Sequence, residues 1–144
     1  MALPTHLTLE LVTPDRAVVR LSVDEVQIPG SEGYLGVLPG HTPLLTTLEV
    51  GELWFLQGAE KFYVSVAFGF AEVLPDRVTI LAQLAERAED VDVNRARDAQ
   101  RRAQERLSKS GVDTDFERAR ISMMKALVRL QVASKISTRS HSPH

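Results

Sequence analysis

The sequence contains no cysteine in its 144 residues. Disulfides, thiolate metal sites and cysteine nucleophiles are thereby excluded, and a reducing compartment fits. Aromatic side chains are scarce at 6%, and Phe116 is the only one beyond residue 70. Bases would find little to stack on in the more basic end of the chain, so no nucleic-acid partner is expected. The four histidines, His6, His41, His141 and His144, form no i,i+4 pair on a predicted helix, so no metal site is expected. There is no G-x-S-x-G elbow, no G-x-x-x-x-G-K-[ST] phosphate loop, and nothing local that argues for a serine–histidine–acid triad. Long apolar runs are missing too. The longest, Tyr63 to Ala71, falls well short of the ~20 residues that span a bilayer. The opening MALPTHLTLELVTPD lacks the basic and apolar regions of a signal peptide, and a soluble or peripheral protein is expected.

What is present reads as globular, with 44% hydrophobic and 25% charged residues. The net charge of −2 is unevenly placed. Residues 1–85 carry four basic side chains against ten acidic ones, and residues 86–144 carry thirteen against nine. An acidic body joined to a basic tail points to two parts with different surroundings.

The periodicities divide the chain at the same place. In HLTLELV, Leu7, Leu9 and Leu11 alternate with polar residues, the period of a half-buried strand. Eight further short runs follow up to RVTILA (77–82), giving nine expected strands. Turn signals separate many of them: TPD at 13–15, IPGSEG at 28–33, QGAE at 57–60 and LPDR at 74–77. With no helical pattern among them, an antiparallel sandwich or barrel is expected. The aromatics Trp54, Phe55, Phe62, Tyr63, Phe68 and Phe70 are read as core or sheet-face packing. Within this half, EGYLGVLPGHTPLL (32–45) mixes three glycines and two prolines with leucines. Its glycines precede no helix whose N-terminus could hold phosphate, so it reads as turns rather than a phosphate cradle.

From Asp92 to Lys109 the residues are helix formers, with Asp92 or Asp90 placed to cap the start and Gly111 to end it. The apolar stripe is narrow: Ala96, Ala99, Ala103 and Leu107. A second helix is expected from Thr114, with Glu117 at the capping-box spacing. Its stripe runs Phe116, Ala119, Met123, Ala126, Leu127, Leu130, Ala133. A short connection makes the pair an antiparallel hairpin, and the polar tail STRSHSPH is expected to fray. An alanine seam buries little area, so the hairpin is expected to be lightly held and able to leave the sheet. The expected division is 1–87 for the strands, 88–138 for the hairpin and 139–144 for the tail.

Three stretches carry a resemblance across essentially the whole chain: GSEGYLGVLPGHTPLLTTLEVGEL (30–53), GFAEVLPDRVTILA (69–82) and VDVNRA (91–96). The chain resembles the epsilon subunit of bacterial and plastid F-type ATP synthases, called delta in mitochondria. The resemblance implies a β-sandwich N-terminal domain followed by a C-terminal antiparallel α-helical hairpin. It implies a non-catalytic rotor subunit that couples proton flow to ATP synthesis, peripheral to the membrane on the cytoplasmic face of the bacterial plasma membrane. Ser31, Glu32, Gly33 and Tyr34 would meet the ring of c subunits, and His41 and Thr46 the gamma subunit. The hairpin would extend into the alpha/beta hexamer and restrain ATP hydrolysis. No cofactor is required by this reading, but several members bind ATP through an I/L-D-x-x-R-A motif and two later arginines. Asp92, Arg95, Ala96 and Arg129 match that pattern, and Glu86 lies where an adenine-side contact is expected. Lys125 stands where the earlier arginine would be, keeping the charge without bidentate geometry. A second departure is Phe68, where the family usually has the first of two glycines. The competing reading is a nucleotide-sensing sandwich-and-hairpin adaptor outside any ATPase.

Overall fold

Alternation decides the first strand: Leu7, Leu9 and Leu11 are fully buried while Thr8 faces solvent. The computed structural model describes residues 3–109 and 113–140. It places β1 at Leu7–Val12, β2 at Ala17–Val23, β3 at Glu25–Gly30 and β4 at Gly33–Val37. Then come β5 (Leu44–Gln57), β6 (Glu60–Leu74), β7 (Arg77–Arg87), a 3-10 turn (Ala88–Asp90), α1 (Val93–Ser108) and α2 (Asp113–Ser140). The strands hydrogen bond in the order β2-β1-β7-β6-β5-β3-β4. β1 runs parallel to β7 and every other pairing is antiparallel. The strands enclose one core as a β-sandwich, filled by the inward leucines of β1, Val19, Val23, Val26, Ile28, Phe55, Val64, Val73 and Ile80. Phe55 stacks on Phe62 with centroids 5.2 Å apart.

The four expected turns all close ladders or loops. Thr13 N donates to Arg16 O at 2.9 Å. Gly30 pairs with Gly33, Gln57 with Glu60, and Leu74 with Arg77 across their hairpins. The expected nine strands are seven, because LLTTLEV and ELWFLQ form one strand, as do KFYVSV and GFAEVL. The interruptions seen in the sequence are breaks of pleat within continuous strands. On β6 the core receives Val64 and Val66, then Ala71 and Val73, so the inward side changes parity between them. Phe68 and Gly69 sit at the change with φ of 60° and 128°. The ladders to β5 and β7 both skip Phe68, leaving Glu49, Phe68 and Gln83 as one unpaired row.

Asp92 caps α1, its Oδ1 accepting from Arg95 N at 3.1 Å. α2 begins at Asp113, so Thr114, expected as the cap, lies within the helix. Its backbone helix continues to Ser140, through the first residues of the expected tail. Gly111, His141 and His144 lie outside the described residues. The expected stripe of α2 needs correction. Ala119 and Ala126 are buried, but Phe116 and Leu127 are exposed, and Val132 is fully buried in their place. The reason is geometric: α2 packs against both α1 and the outer face of β5–β6, so two sides of the helix are covered. Near its start, Arg120 donates to Glu117 at 2.6 Å. That hydrogen bond, with the cation's charge, holds the Glu117 carboxyl below its ordinary range and raises Arg120.

Candidate functional site

Two regions gather the residues singled out in the sequence. The first lies between α2 and the outer face of β5–β6–β7. Cross-strand register sets Val50, Ala67 and Leu84 in one row and Glu52, Ser65 and Glu86 in the next. Residues in one such row share a face, and this face looks toward α2. A cavity of about 360 Å³ lies there, its apolar walls including Val50, Ala67, Leu84 and Ala126. Ser65, Ser122, Glu86, Lys125 and Arg129 supply its polar groups.

Arg129 is already engaged. Its Nε donates to Glu86 Oε1 at 2.9 Å, and a terminal nitrogen donates to Oε2 at 3.4 Å, in a part-buried, two-pronged pair. The fork geometry of a guanidinium suits this pairing, where a lysine would make a single contact. Lys125 Nζ lies 5.7 Å from the centroid of the Phe68 ring. Lys135 Nζ lies 5.4 Å from that of Tyr63. Three cations of α2 thus meet the sheet at two aromatic faces and one carboxylate. One oxygen of Glu52 is buried there without a hydrogen-bond partner. Glu86, Lys125 and Arg129 therefore converge on one cavity. Asp92, Arg95 and Ala96 do not line it: they form the cap and first turn of α1, with Arg95 exposed and Ala96 fully buried. A chamber with two cations, two hydroxyls and apolar walls suits an anion carrying an apolar part. Such an anion must displace Glu86 to reach the Arg129 fork.

The second region is the far tip of the sandwich. The β3–β4 turn exposes Ser31, Glu32, Gly33 and Tyr34, with Gly33 at φ 119°. These four line a shallow concavity of about 500 Å³ together with Leu44, Leu45 and Thr46. Ser31 N donates to Thr47 O at 2.9 Å and ties the turn to β5. His41 is not in that lining. It sits in the neighbouring loop, where its ring Nδ1 lies 2.6 Å from Thr42 O and Gly40 N donates to Pro75 O.

Sequence reasoning did not single out the bare sheet face beside this tip. Leu45 is 71% exposed, Phe70 55% and Leu81 53%, and Thr47, Phe70 and Leu81 form one cross-strand row. The signal was present as two consecutive apolar residues at the start of β5, where strict alternation allows one. Large apolar patches open to solvent are a feature of interaction sites in general. Among the described residues no group of three histidines or acids is arranged to hold a metal, and no helix is long and apolar enough to cross a membrane.

Two family models match in tandem. Residues 6–88 match the β-sandwich domain of the ATP synthase delta/epsilon chain, and residues 89–134 match its long α-helix domain. An ATP synthase epsilon chain of Solibacter usitatus is 46% identical over 133 residues, covering 92% of this chain and 99% of that one. The epsilon chain of Koribacter versatilis is 55% identical over 102 residues, 71% and 72% of the two chains. Among solved structures, a chain of the Euglena gracilis mitochondrial ATP synthase superposes with a TM-score of 0.69 at 22% identity, covering 98% of this chain and 85% of that one. A chain of the Tetrahymena thermophila mitochondrial ATP synthase central stalk and c ring gives 0.61 at 12% identity, covering 90% and 98%.

Proposed function

Because the chain belongs to the ATP synthase delta/epsilon family, we propose that it is a non-catalytic rotor subunit in the central stalk of F1. This membership disfavours an adaptor outside any ATPase. The sandwich binds the gamma subunit and rests on the c ring, on the cytoplasmic face of the bacterial plasma membrane. It passes rotation between proton flow and ATP synthesis and needs no cofactor to do so. The observation that carries this is the bare end of the sandwich. Its core is complete without the row Thr47–Phe70–Leu81 or the Ser31–Tyr34 turn, yet both present themselves to solvent.

In reconstitution with purified gamma and c ring, Phe70→Asp is expected to reduce recovery of gamma at least tenfold, as fits an exposed apolar anchor that binding buries. Glu32→Lys is expected to weaken c-ring association while gamma recovery stays normal. Normal recovery of both partners by both variants would count against the assignment of these surfaces.

The hairpin takes two positions: docked on the sheet, and extended along gamma into the alpha/beta hexamer, where it restrains hydrolysis. Buried side chains of the helices are confined to Ala96, Ala103, Ala119, Ala126 and Val132 among the described residues. With larger apolar residues such as Met123, Val128 and Leu130 only half-buried, an interface of this kind supports two states only a few kcal/mol apart. Arg118, Arg120, Lys125 and Arg129 give α2 a cationic surface for an acidic segment of the hexamer once it is extended.

Regulatory ATP belongs to the docked state. Lys125 and Arg129 would hold phosphate, Glu86 would turn to the base, and Asp92, Arg95 and Ala96, which do not line the cavity, would act by fixing the cap and first turn of α1. Arg129 must exchange Glu86 for phosphate, so affinity is expected to be weak. Calorimetry at millimolar ATP should register binding that Arg129→Ala abolishes; absence of heat in the unmodified chain would remove ATP from the scheme.

A further inference from the structure

We infer that Phe68 is a docking latch for the hairpin, its ring seating the Lys125 ammonium and its backbone held left-handed to aim it there. The inference rests on the two-position reading of the hairpin and adds the contact that sets the balance.

Phe68 has φ 60°, a conformation that a bulky L-residue adopts only under constraint and a glycine adopts freely. It stands outside both ladders, between the pairs Ala67–Leu84 and Gly69–Ala82 on one side and Val50–Ala67 and Leu48–Gly69 on the other. Its neighbour Gly69 has no such choice, since a Cβ there would lie 2.0 Å from Leu81 O. At 68 a side chain is tolerated, at the cost of backbone strain. The sandwich core does not draw on this side chain, because Phe68 is half-buried and not a member of the core cluster. The compensating contact comes from α2. Lys125 Nζ lies 5.7 Å from the ring centroid, within the reach of a cation–π contact. The other two cationic contacts, Arg129 to Glu86 and Lys135 to Tyr63, come from regular strand positions within the ladders. The Phe68 contact alone is built on a strained residue. When the hairpin leaves, the strain stays behind without its compensating contact, so docking is favoured by a residue that burdens the sandwich.

Hydrogen exchange on the full chain without nucleotide tests this. Phe68→Leu keeps a bulky residue in the left-handed position and removes the ring. Lys125→Met keeps the stem and removes the charge. Each is expected to raise the local opening of α2 amides about two- to fivefold, the range of an exposed cation–π pair. The double variant should open no more than either alone, because both remove one contact. Phe68→Gly should loosen α2 similarly while slowing exchange in β1 and β7, since it also relieves the backbone. A side chain that merely packed would lower protection in both places. If α2 opens separately from the sheet but Phe68→Leu leaves it unchanged, or if the two single effects add, the latch is wrong. If α2 in the unmodified chain exchanges only in step with the sheet core, the two-position reading fails and the latch with it.

Discussion

Removing residues 91–144 is expected to raise ATP hydrolysis by the assembled enzyme about fivefold or more, the low end of a typical coupling free energy, while coupled synthesis persists. The deletion leaves every strand intact, and the core cluster lies wholly within the strands. It strips the cover from Val50 and Ala67 and frees Glu86 from Arg129. Neither change touches the Ser31–Tyr34 turn or the Phe70–Leu81 face, so assembly should survive. Hydrolysis measured beside proton pumping by reconstituted vesicles separates the outcomes. A rise in hydrolysis with pumping retained supports a removable brake. Hydrolysis unchanged on deletion would show that the hairpin exerts no restraint in this member of the family. Loss of assembly would place a gamma contact on the hairpin itself.

Gly69→Ala is expected to destabilise the sandwich by roughly 3 kcal/mol or more. The added Cβ would meet Leu81 O at 2.0 Å and Ala82 Cα at 2.9 Å, both backbone atoms of β7 that cannot swing aside. The φ of 128° is a conformation that only glycine adopts at low cost. For a domain of this size such a loss lowers the melting temperature by on the order of 10–20 °C. Gly36→Ala serves as control, since a Cβ there meets nothing within 4 Å and the backbone is ordinary. Its shift is expected to stay within about 0.5 kcal/mol. Thermal unfolding that gives both variants the same midpoint would mean that β7 yields at this point, and the break in β6 would then be softer than its geometry implies.

Both expectations concern features that the sequence announced unevenly. The turns at 13–15, 28–33, 57–60 and 74–77 were legible because proline, glycine and aspartate act through local backbone preference. Asp92 was legible as a cap for the same reason: its partner, Arg95 N, is three residues away. The alternation in β1 pointed to its core residues directly. The two helices and their change of period from the strands were equally plain, and so was the family motif around His41.

What the sequence blurred was the count of strands. The breaks at Gly51 and Phe68 read as ends, because a local pattern cannot tell a turn from a kink that hydrogen bonds cross. Tertiary structure alone decided that neighbouring strands carry the break together, with Glu49, Phe68 and Gln83 in one row. It also decided the faces of α2. A helix with apolar residues on several sides has no single stripe, and only its position between α1 and the sheet selected Val132 over Phe116 and Leu127. The pairings Arg129–Glu86 and Lys125–Phe68 span 43 and 57 positions of chain. Composition and spacing supplied those charges and rings, and local physics fixed the elements that carry them. Which charge met which ring was set by the packing of the hairpin on the sheet, because contacts between distant residues depend on where whole elements come to rest.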